Sequence, residues 1–124
     1  MPTTAKQLIE AANAAVPKIS GQEAIDMVAK GAVLVDVRDS AEVAQTGKAA
    51  GALHIPRGSL EFKADLTAPS ADKSFAHDKP VILHCASGGR AALAGKLLKD
   101  MGYQKVFNLG GFKDWVEAGG KVEK

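Results

Sequence analysis

A short apolar run that leads through a glycine loop into an amphipathic helix, all within residues 80–101, most constrains what this chain can fold into. Residues 81–83 are continuously apolar, which predicts a strand covered on both faces. Beyond Arg90 the apolar residues recur at helical spacing, and Gly102 predicts the end of the helix. This order of elements is typical of parallel α/β sheets.

The loop between this strand and this helix contains Cys85, the only cysteine of the chain. Backbone N–H groups and the positive end of the macrodipole stabilise an anion at a helix start. Gly88 and Gly89 allow the loop amides to turn inward, and Arg90 adds a permanent positive charge. A lone cysteine usually packs as a small hydrophobe, but this one follows a strand end, where open α/β sheets bind ligands. The position therefore favours a nucleophilic thiolate.

The loop sequence Cys-Ala-Ser-Gly-Gly-Arg at residues 85–90 resembles the active-site loop of rhodanese-like domains, sulfurtransferases that carry sulfane sulfur as a cysteine persulfide. The resemblance spans about residues 18–121. Arg57 departs from it, because many relatives have glycine after the preceding proline, and we expect substrate access to differ there. Three further segments resemble family motifs in the same order: Asp-x-Arg at the end of residues 34–38 with Glu42 downstream, Gly-x-x-His-Ile-Pro at residues 51–56, and Gly-Gly-x-x-x-Trp within residues 109–115.

The resemblance implies an α/β fold with an open, mainly parallel five-stranded sheet and helices on both faces. A single rhodanese-like domain is expected at residues 18–124, since 124 residues suffice for one such domain and not for two. Residues 1–17 are predicted to form an N-terminal helical extension. Its apolar side is expected to pack on the domain rather than on a second subunit, because amphipathic helices ordinarily face their own core.

The resemblance also implies a two-step transfer. Cys85 attacks the outer sulfur of a small anionic donor such as thiosulfate, and the resulting persulfide passes its sulfur to cyanide or to a thiol of a small molecule or protein. Arg90 is expected to steer the donor, while Ser87 either donates a hydrogen bond or shapes the loop. Some relatives carry a charged side chain at the position of Ala86, so we expect this protein to bind thiosulfate more weakly. The backbone amides expected to bind the terminal sulfur are those of Ala86, Ser87, Gly88, Gly89 and Arg90.

Polar residues near the strand ends form a candidate supporting group of Asp36, Arg38 and Arg57. Asp36 and Arg38 lie two residues apart on a predicted strand, so their side chains point to the same side and are expected to pair; a general-base role for Asp36 is the less favoured alternative. His54 would complete a hydrolase-like triad with Asp36, but a cysteine activated by loop amides needs no histidine. The family instead places this histidine in a turn-stabilising position. His84 is expected to be packed or hydrogen-bonded.

Two alternatives to sulfur transfer remain. Phosphatases and arsenate reductases related to this fold also use a cysteine loop that ends in arginine, but they have five residues between the two, whereas residues 86–89 are four. The smaller loop fits a sulfur atom better than a tetrahedral oxyanion. A non-catalytic rhodanese-like module that serves interaction or regulation is the other alternative. Such modules usually lack the cysteine, which is present here.

Composition argues against several other classes of protein. A formal net charge of +2 without a basic stripe or aromatic platform gives no reason to expect nucleic-acid or membrane binding. One cysteine provides no internal resolving thiol, so sulfur on Cys85 must leave to another molecule. The three histidines and the cysteine have no metal-site spacing, and no cofactor is expected. Glu10 interrupts any apolar stretch of signal-peptide length, so we expect the protein to be cytoplasmic. We expect it to be a monomer or a homodimer.

Overall fold

A parallel sheet forms the centre of the computed structural model, which describes residues 2–124. Its four strands are β1 (Val33–Asp36), β3 (Leu53–His54), β4 (Val81–Cys85) and β5 (Val106–Gly111). They lie in the order β3-β1-β4-β5, and every neighbouring pair is parallel. The predicted α/β class and parallel sheet are therefore confirmed.

The place of a fifth strand is taken by a single parallel bridge beside β5. Lys18 pairs with Asn108 there, and the Ile19 N–H donates to the Asn108 carbonyl at 3.0 Å. Pro17 has no N–H, which prevents a longer ladder on this side of the bridge. The sheet thus has four strands and one bridge rather than the five expected strands.

The sequence analysis missed a second, small sheet. In this sheet β2 (Lys48–Ala49) pairs antiparallel with β6 (Val122–Glu123), and an ion pair joins Lys48 to Glu123. Two-residue strands leave almost no periodic signal, so neither was predictable from the sequence.

Helices cover both faces of the central sheet. Ser20 begins α2 with a capping box, in which its hydroxyl accepts from the Glu23 N–H at 3.1 Å, as the Ser-x-x-Glu pattern predicts. Among residues 2–124, none of the helices has the length and apolar character that a membrane crossing needs. The helices are α1 (Ala5–Ala15), α2 (Gly21–Ala29), α3 (Ser40–Thr46), α4 (Leu60–Ala64), α5 (Gly89–Asp100) and α6 (Phe112–Glu117), with a short 3-10 turn at Arg57–Ser59.

The N-terminal helix α1 packs on α5, on its own chain as expected. Ala12 and Val16 are its buried contacts. Helix α5 presents Gly95 to α1, and a Cβ at that position would lie 3.0 Å from both methyl groups of Val16. The two helices therefore approach closely because this position has no side chain.

Apolar side chains fill a core on each face of the sheet, because successive strand residues point to opposite faces. In β4, Leu83 and Cys85 belong to the core beneath α1 and α5, whereas Ile82 belongs to the core beneath α2 and α6. Trp115 of α6 closes the second core. Its neighbour Val116 is exposed.

Candidate active site

The loop after β4 turns directly into α5. Gly88 adopts a left-handed conformation with φ of 107°, which strongly favours glycine, and α5 begins at the next residue. The chain therefore reverses within three residues of Cys85. The loop lies at the carboxyl end of β4, where the sequence analysis expected a ligand site.

The sulfur of Cys85 accepts hydrogen bonds from the first turn of α5. The Gly88 N–H lies 3.0 Å from Sγ and the Ala91 N–H lies 3.4 Å from it. Cys85 is the last residue of β4 and is completely buried in the core beneath α1 and α5. The sequence analysis placed this residue on a loop, and that was wrong, because the strand continues two residues beyond its apolar run.

Two more N–H groups at this helix start have no acceptor within residues 2–124, those of Gly89 and Arg90. The first four N–H groups of any helix have no partner inside the helix. Those of Ala91 and Gly88 are directed at Cys85 Sγ, and the other two remain for an anion bound at the same helix start.

The guanidinium of Arg90 forms a bidentate ion pair with Glu42 of α3. The Nη1 and Nη2 atoms donate to the two carboxylate oxygens at 2.7 and 2.9 Å. The hydrogen bonds from Arg90 and from the Asp39 backbone lower the pKa of Glu42 to about 2, and the Glu42 carboxylate in turn raises the pKa of Arg90. Glu42 therefore balances the positive charge that the sequence analysis assigned to donor steering, and the guanidinium is fixed at the end of the loop.

Asp36 and Arg38 pair inside the protein, as expected. Nη2 of Arg38 donates to Asp36 Oδ2 at 2.8 Å, and both side chains are buried. Burial acts to raise the pKa of Asp36, but the hydrogen bonds from Arg38 outweigh it and hold the pKa below its ordinary value. Arg38 also donates to the Thr46 hydroxyl at 2.9 Å and to the Gly47 carbonyl at 3.0 Å. The pair thus fastens the end of β1 to the end of α3, the helix that carries Glu42.

Within residues 2–124, no histidine forms a hydrogen bond with the Cys85 sulfur. A ring nitrogen of His54 lies 2.8 Å from the Arg38 carbonyl, which agrees with a turn-stabilising position. His84 is completely buried, and its Nε2 lies 3.8 Å from Asp36 Oδ2 with no hydrogen-bond partner in the described part of the chain. Burial lowers the pKa of His84 despite the opposing charge of Asp36. No triad of Cys85, His54 and Asp36 forms, because the Asp36 carboxylate is paired with Arg38.

Of the remaining predicted residues, two belong to the loop and one to the 3-10 turn at Arg57–Ser59. Ala86 and Ser87 are exposed, and the Ser87 hydroxyl makes no hydrogen bond among residues 2–124. Arg57 lies next to Pro56, where Nη1 donates to Glu61 at 3.1 Å, and it faces a groove between α1 and α5. No cluster of metal-ligating side chains exists in the described part of the chain.

Sequence reasoning missed the role of the glycines that follow Asn108. A Cβ on Gly111 would lie 2.4 Å from the Ala86 carbonyl oxygen, so the end of β5 and the loop touch backbone to backbone. The Asn108 side chain forms hydrogen bonds to both segments: it accepts from the Gly110 N–H of β5 at 2.7 Å and donates to the Gly88 carbonyl of the loop at 3.4 Å. The Gly-Gly pair signals a turn in sequence, but its contact with a loop over 20 residues away requires the fold.

The fold and the site together define an α/β protein with a cysteine loop held at a helix start. Comparison with known proteins identifies the family: a model of the Rhodanese-like domain matches residues 20–118, and the chain belongs to this family. A thiosulfate sulfurtransferase, GlpE of Haemophilus influenzae, is 33% identical over 105 residues, which cover 82% of this chain and 89% of the relative.

Solved structures agree with this family. A protein of unknown function from Rhodopseudomonas palustris, described as a possible tyrosine phosphatase, is 37% identical with a TM-score of 0.87 and covers 99% of both chains. The polysulfide-sulfur transferase homodimer of Wolinella succinogenes is 33% identical with a TM-score of 0.76, covering 95% of this chain and 85% of that chain. The resemblance stated from sequence is thereby confirmed.

Proposed function

We propose that this protein is a sulfurtransferase that moves sulfane sulfur from a small anionic donor to a thiophilic acceptor through a persulfide on Cys85. The observation that carries the proposal is the placement of Sγ over the start of α5, where it accepts from the Gly88 and Ala91 N–H groups. Hydrogen bonds and the helix dipole at this position stabilise a negative charge on sulfur. Relatives that carry the name thiosulfate sulfurtransferase support the same chemistry.

In the first step the Cys85 thiolate attacks the outer sulfur of thiosulfate. The new Sγ–S bond forms as the S–S bond of thiosulfate breaks, and its electron pair leaves with sulfite. Cys85 has no solvent exposure, so the loop must open before any donor atom contacts Sγ. A terminal sulfur atom, which projects from the rest of the donor, requires the smallest opening.

In the second step the acceptor attacks the terminal sulfur of the persulfide. Cyanide leaves as thiocyanate, or a thiolate leaves as a persulfide, and the electron pair of the broken bond returns to Sγ. Between the steps the terminal sulfur carries the negative charge. The N–H groups of Gly89 and Arg90 supply the donors for it, as an oxyanion hole does for oxygen.

Arg90 serves in this proposal as a positioning residue. Its ion pair with Glu42 fixes the end of the loop and leaves little unbalanced charge for long-range steering of the donor. We therefore expect Arg90→Ala to slow loading and unloading of sulfur alike. Stopped-flow measurement of both half-reactions decides this, because a steering role would slow loading alone.

A phosphatase is the enzymatic alternative, and the description of the Rhodopseudomonas palustris structure mentions one. The four residues between Cys85 and Arg90 make a smaller loop than the five that cysteine phosphatases use. A tetrahedral phosphate ester would also require a larger opening of the loop to reach the buried Sγ than a terminal sulfur atom does.

Steady-state assays test the proposal. The wild-type protein should form thiocyanate from thiosulfate and cyanide, Cys85→Ala should form none, and neither should hydrolyse para-nitrophenyl phosphate at a comparable rate. Thiocyanate formation by Cys85→Ala would refute the persulfide route. Phosphate release without thiocyanate would favour the phosphatase, and no turnover of either substrate would favour a non-catalytic interaction module.

A further inference from the structure

A cleft of about 280 Å³ separates the N-terminal helix from the cysteine loop. The side of the cleft that α1 forms lies outside the family match, because α1 ends before residue 20, where the match begins. The cleft touches the loop on its other side, immediately beside the N–H group that binds Sγ. The cleft is lined by Ile9, Asn13 and Lys18 on the side of α1 and by Ser87, Gly88 and Asn108 on the side of the loop.

Lys18 supplies a positive charge to this cleft. Its side chain forms no ion pair among residues 2–124. The Asp114 carboxylate lies across Gly110 from it, beyond ion-pair distance, and accepts from the Gly111 N–H at 2.9 Å. The N–H donors of the Lys18 ammonium group are therefore available to an anion in the cleft.

The backbone holds this ammonium group at the loop. Lys18 is the bridge partner of Asn108, so its Cα is fixed to the edge of the sheet. A Cβ on Gly110 would lie 3.7 Å from the Nζ atom of Lys18. Gly88 of the loop packs against the same glycine, because a Cβ on Gly88 would lie 3.5 Å from Gly110 Cα. The stem of Lys18 thus crosses the space that Gly110 leaves empty, which brings the charge next to the loop.

The other groups of the cleft suit a small organic molecule rather than an inorganic ion. Ile9 and Val16 offer apolar surface, while the exposed Asn13 amide and the Ser87 hydroxyl offer hydrogen bonds. A volume of about 280 Å³ equals that of roughly nine water molecules at about 30 Å³ each. A fully charged ion such as thiosulfate gains nothing from the apolar surface, whereas a short carbon chain does.

The geometry points to a binding subsite for the sulfur acceptor, a small thiol that carries a carboxylate or a similar anionic group. Its anionic end binds Lys18, with Asn13 and Ser87 as further partners, and its thiolate reaches into the loop. There the thiolate attacks the terminal sulfur of the Cys85 persulfide, so that a bond to the acceptor sulfur forms, the bond to Sγ breaks, and Sγ keeps the electron pair. This inference rests on the proposed function, because it names the acceptor of that same reaction.

Acceptor kinetics with thiosulfate as donor test the inference. The probes are 3-mercaptopropionate, which is anionic, 2-mercaptoethanol, which lacks the carboxylate, and cyanide. Lys18→Met should raise the KM for 3-mercaptopropionate about fivefold with kcat unchanged, the size of one exposed charge pair. The KM values for 2-mercaptoethanol and cyanide should stay within about twofold, and Lys18→Arg should keep most of the preference.

The matched control is Lys30→Met, which removes another exposed lysine that has no ion pair among residues 2–124; it lies at the end of α2, before the amino end of β1. This variant should leave all three acceptors unchanged. Equal changes of KM for both thiols in Lys18→Met, or no change for either, would overturn the subsite. Activity with cyanide in the same variant would still support sulfur transfer. A wild-type protein that transfers sulfur to none of the acceptors would overturn the proposed function, and the subsite with it.

Discussion

Cys85 belongs to a buried strand and also begins the loop, so its substitution affects the stability of the fold as well as the reaction. The side chain is completely buried, and Sγ accepts from the Gly88 and Ala91 N–H groups. In Cys85→Ser the hydroxyl keeps an acceptor for these groups but places a polar atom in an apolar core. We expect the free energy of unfolding to fall by about 1–3 kcal/mol, measured by urea denaturation. An unchanged value would contradict the burial of this side chain.

Glu42 gives the candidate site a pH dependence with a definite sign. Its pKa falls from 4.5 to about 2 in the folded protein, so its ionised form is favoured by folding. The stabilisation is complete above about pH 4.5 and is lost as the pH falls towards 2. Because the carboxylate is about one-third exposed, we expect Glu42→Gln to cost only about 0.5–1 kcal/mol at pH 7.

This cost should shrink as the pH falls below 4.5, because the wild-type carboxylate then becomes protonated as well. Urea denaturation of both proteins at pH 7 and at pH 3 measures it. Glu61→Gln is a suitable control, since Glu61 forms its ion pair with Arg57 and not with the cysteine loop. A cost that grows towards pH 3 would contradict the sign of the pKa shift.

The residue types of the site were predictable from sequence, but their partners were not. Cys85 and Arg90 are recognisable because the strand, the glycines and the helix that surround them are contiguous. The partner of Arg90 is Glu42, which lies 48 residues away on another helix. A downstream glutamate was noted as part of a motif, yet only the packing of α3 beside the loop shows what its carboxylate contacts.

Among the elements, β1 and α3 are connected by one buried arginine. Arg38 binds Asp36 at one end and the Thr46 hydroxyl and Gly47 carbonyl at the other. Phe112 lies over the guanidinium, with its ring centroid 4.4 Å from Cζ. Helix α3 in turn holds Arg90 through Glu42, so the network connects the sheet to the cysteine loop.

Arg38→Leu should lower the free energy of unfolding by about 3–5 kcal/mol, because it leaves the buried Asp36 carboxylate without a partner. The double variant Asp36→Leu/Arg38→Leu should recover much of this loss, since it removes both buried charges. Chemical denaturation of the three proteins gives the comparison. A double variant that is less stable than Arg38→Leu would show that the pair itself stabilises the fold.

The contact between β5 and the cysteine loop depends on one glycine. A Cβ at Gly111 would lie 2.4 Å from the Ala86 carbonyl, a distance that neither backbone accommodates without moving. Gly111→Ala should therefore displace the loop and lower kcat for thiocyanate formation at least about tenfold, since small displacements of reacting groups are costly. Gly58→Ala is the matched control, because no atom of residues 2–124 outside its chain neighbours lies within 4 Å of its Cβ position. Equal activity of the two variants would contradict the proposed dependence on this contact.

Strong local signals made most elements predictable. The apolar runs gave β1 and β4, and the Ser20 capping box gave the start of α2. Elements that depend on distant partners were not predictable: β6 exists because it pairs with β2, more than 70 residues earlier. The reduction of the fifth strand to a bridge at Lys18 likewise depends on pairing with Asn108 and on the absence of an N–H at Pro17.

At the scale of the whole molecule, the fold brings three distant segments to the carboxyl ends of the strands. The loop after β4 supplies Cys85, α3 supplies Glu42, and the region between α1 and α2 supplies Lys18. The parallel order of the sheet explains this arrangement, because every strand ends at the same edge. The position of Cys85 after a strand end predicted this edge as the site, whereas the position of α1 beside it depends on packing against α5.

The persulfide on Cys85 is the central claim, and intact mass spectrometry tests it most directly. The wild-type protein is incubated with thiosulfate, separated from it without reductant, and compared with Cys85→Ser treated in the same way. The account predicts that the wild-type protein gains the mass of one sulfur atom, that cyanide removes it, and that Cys85→Ser gains nothing. An unchanged mass of the wild-type protein, or an equal gain in Cys85→Ser, would contradict the account.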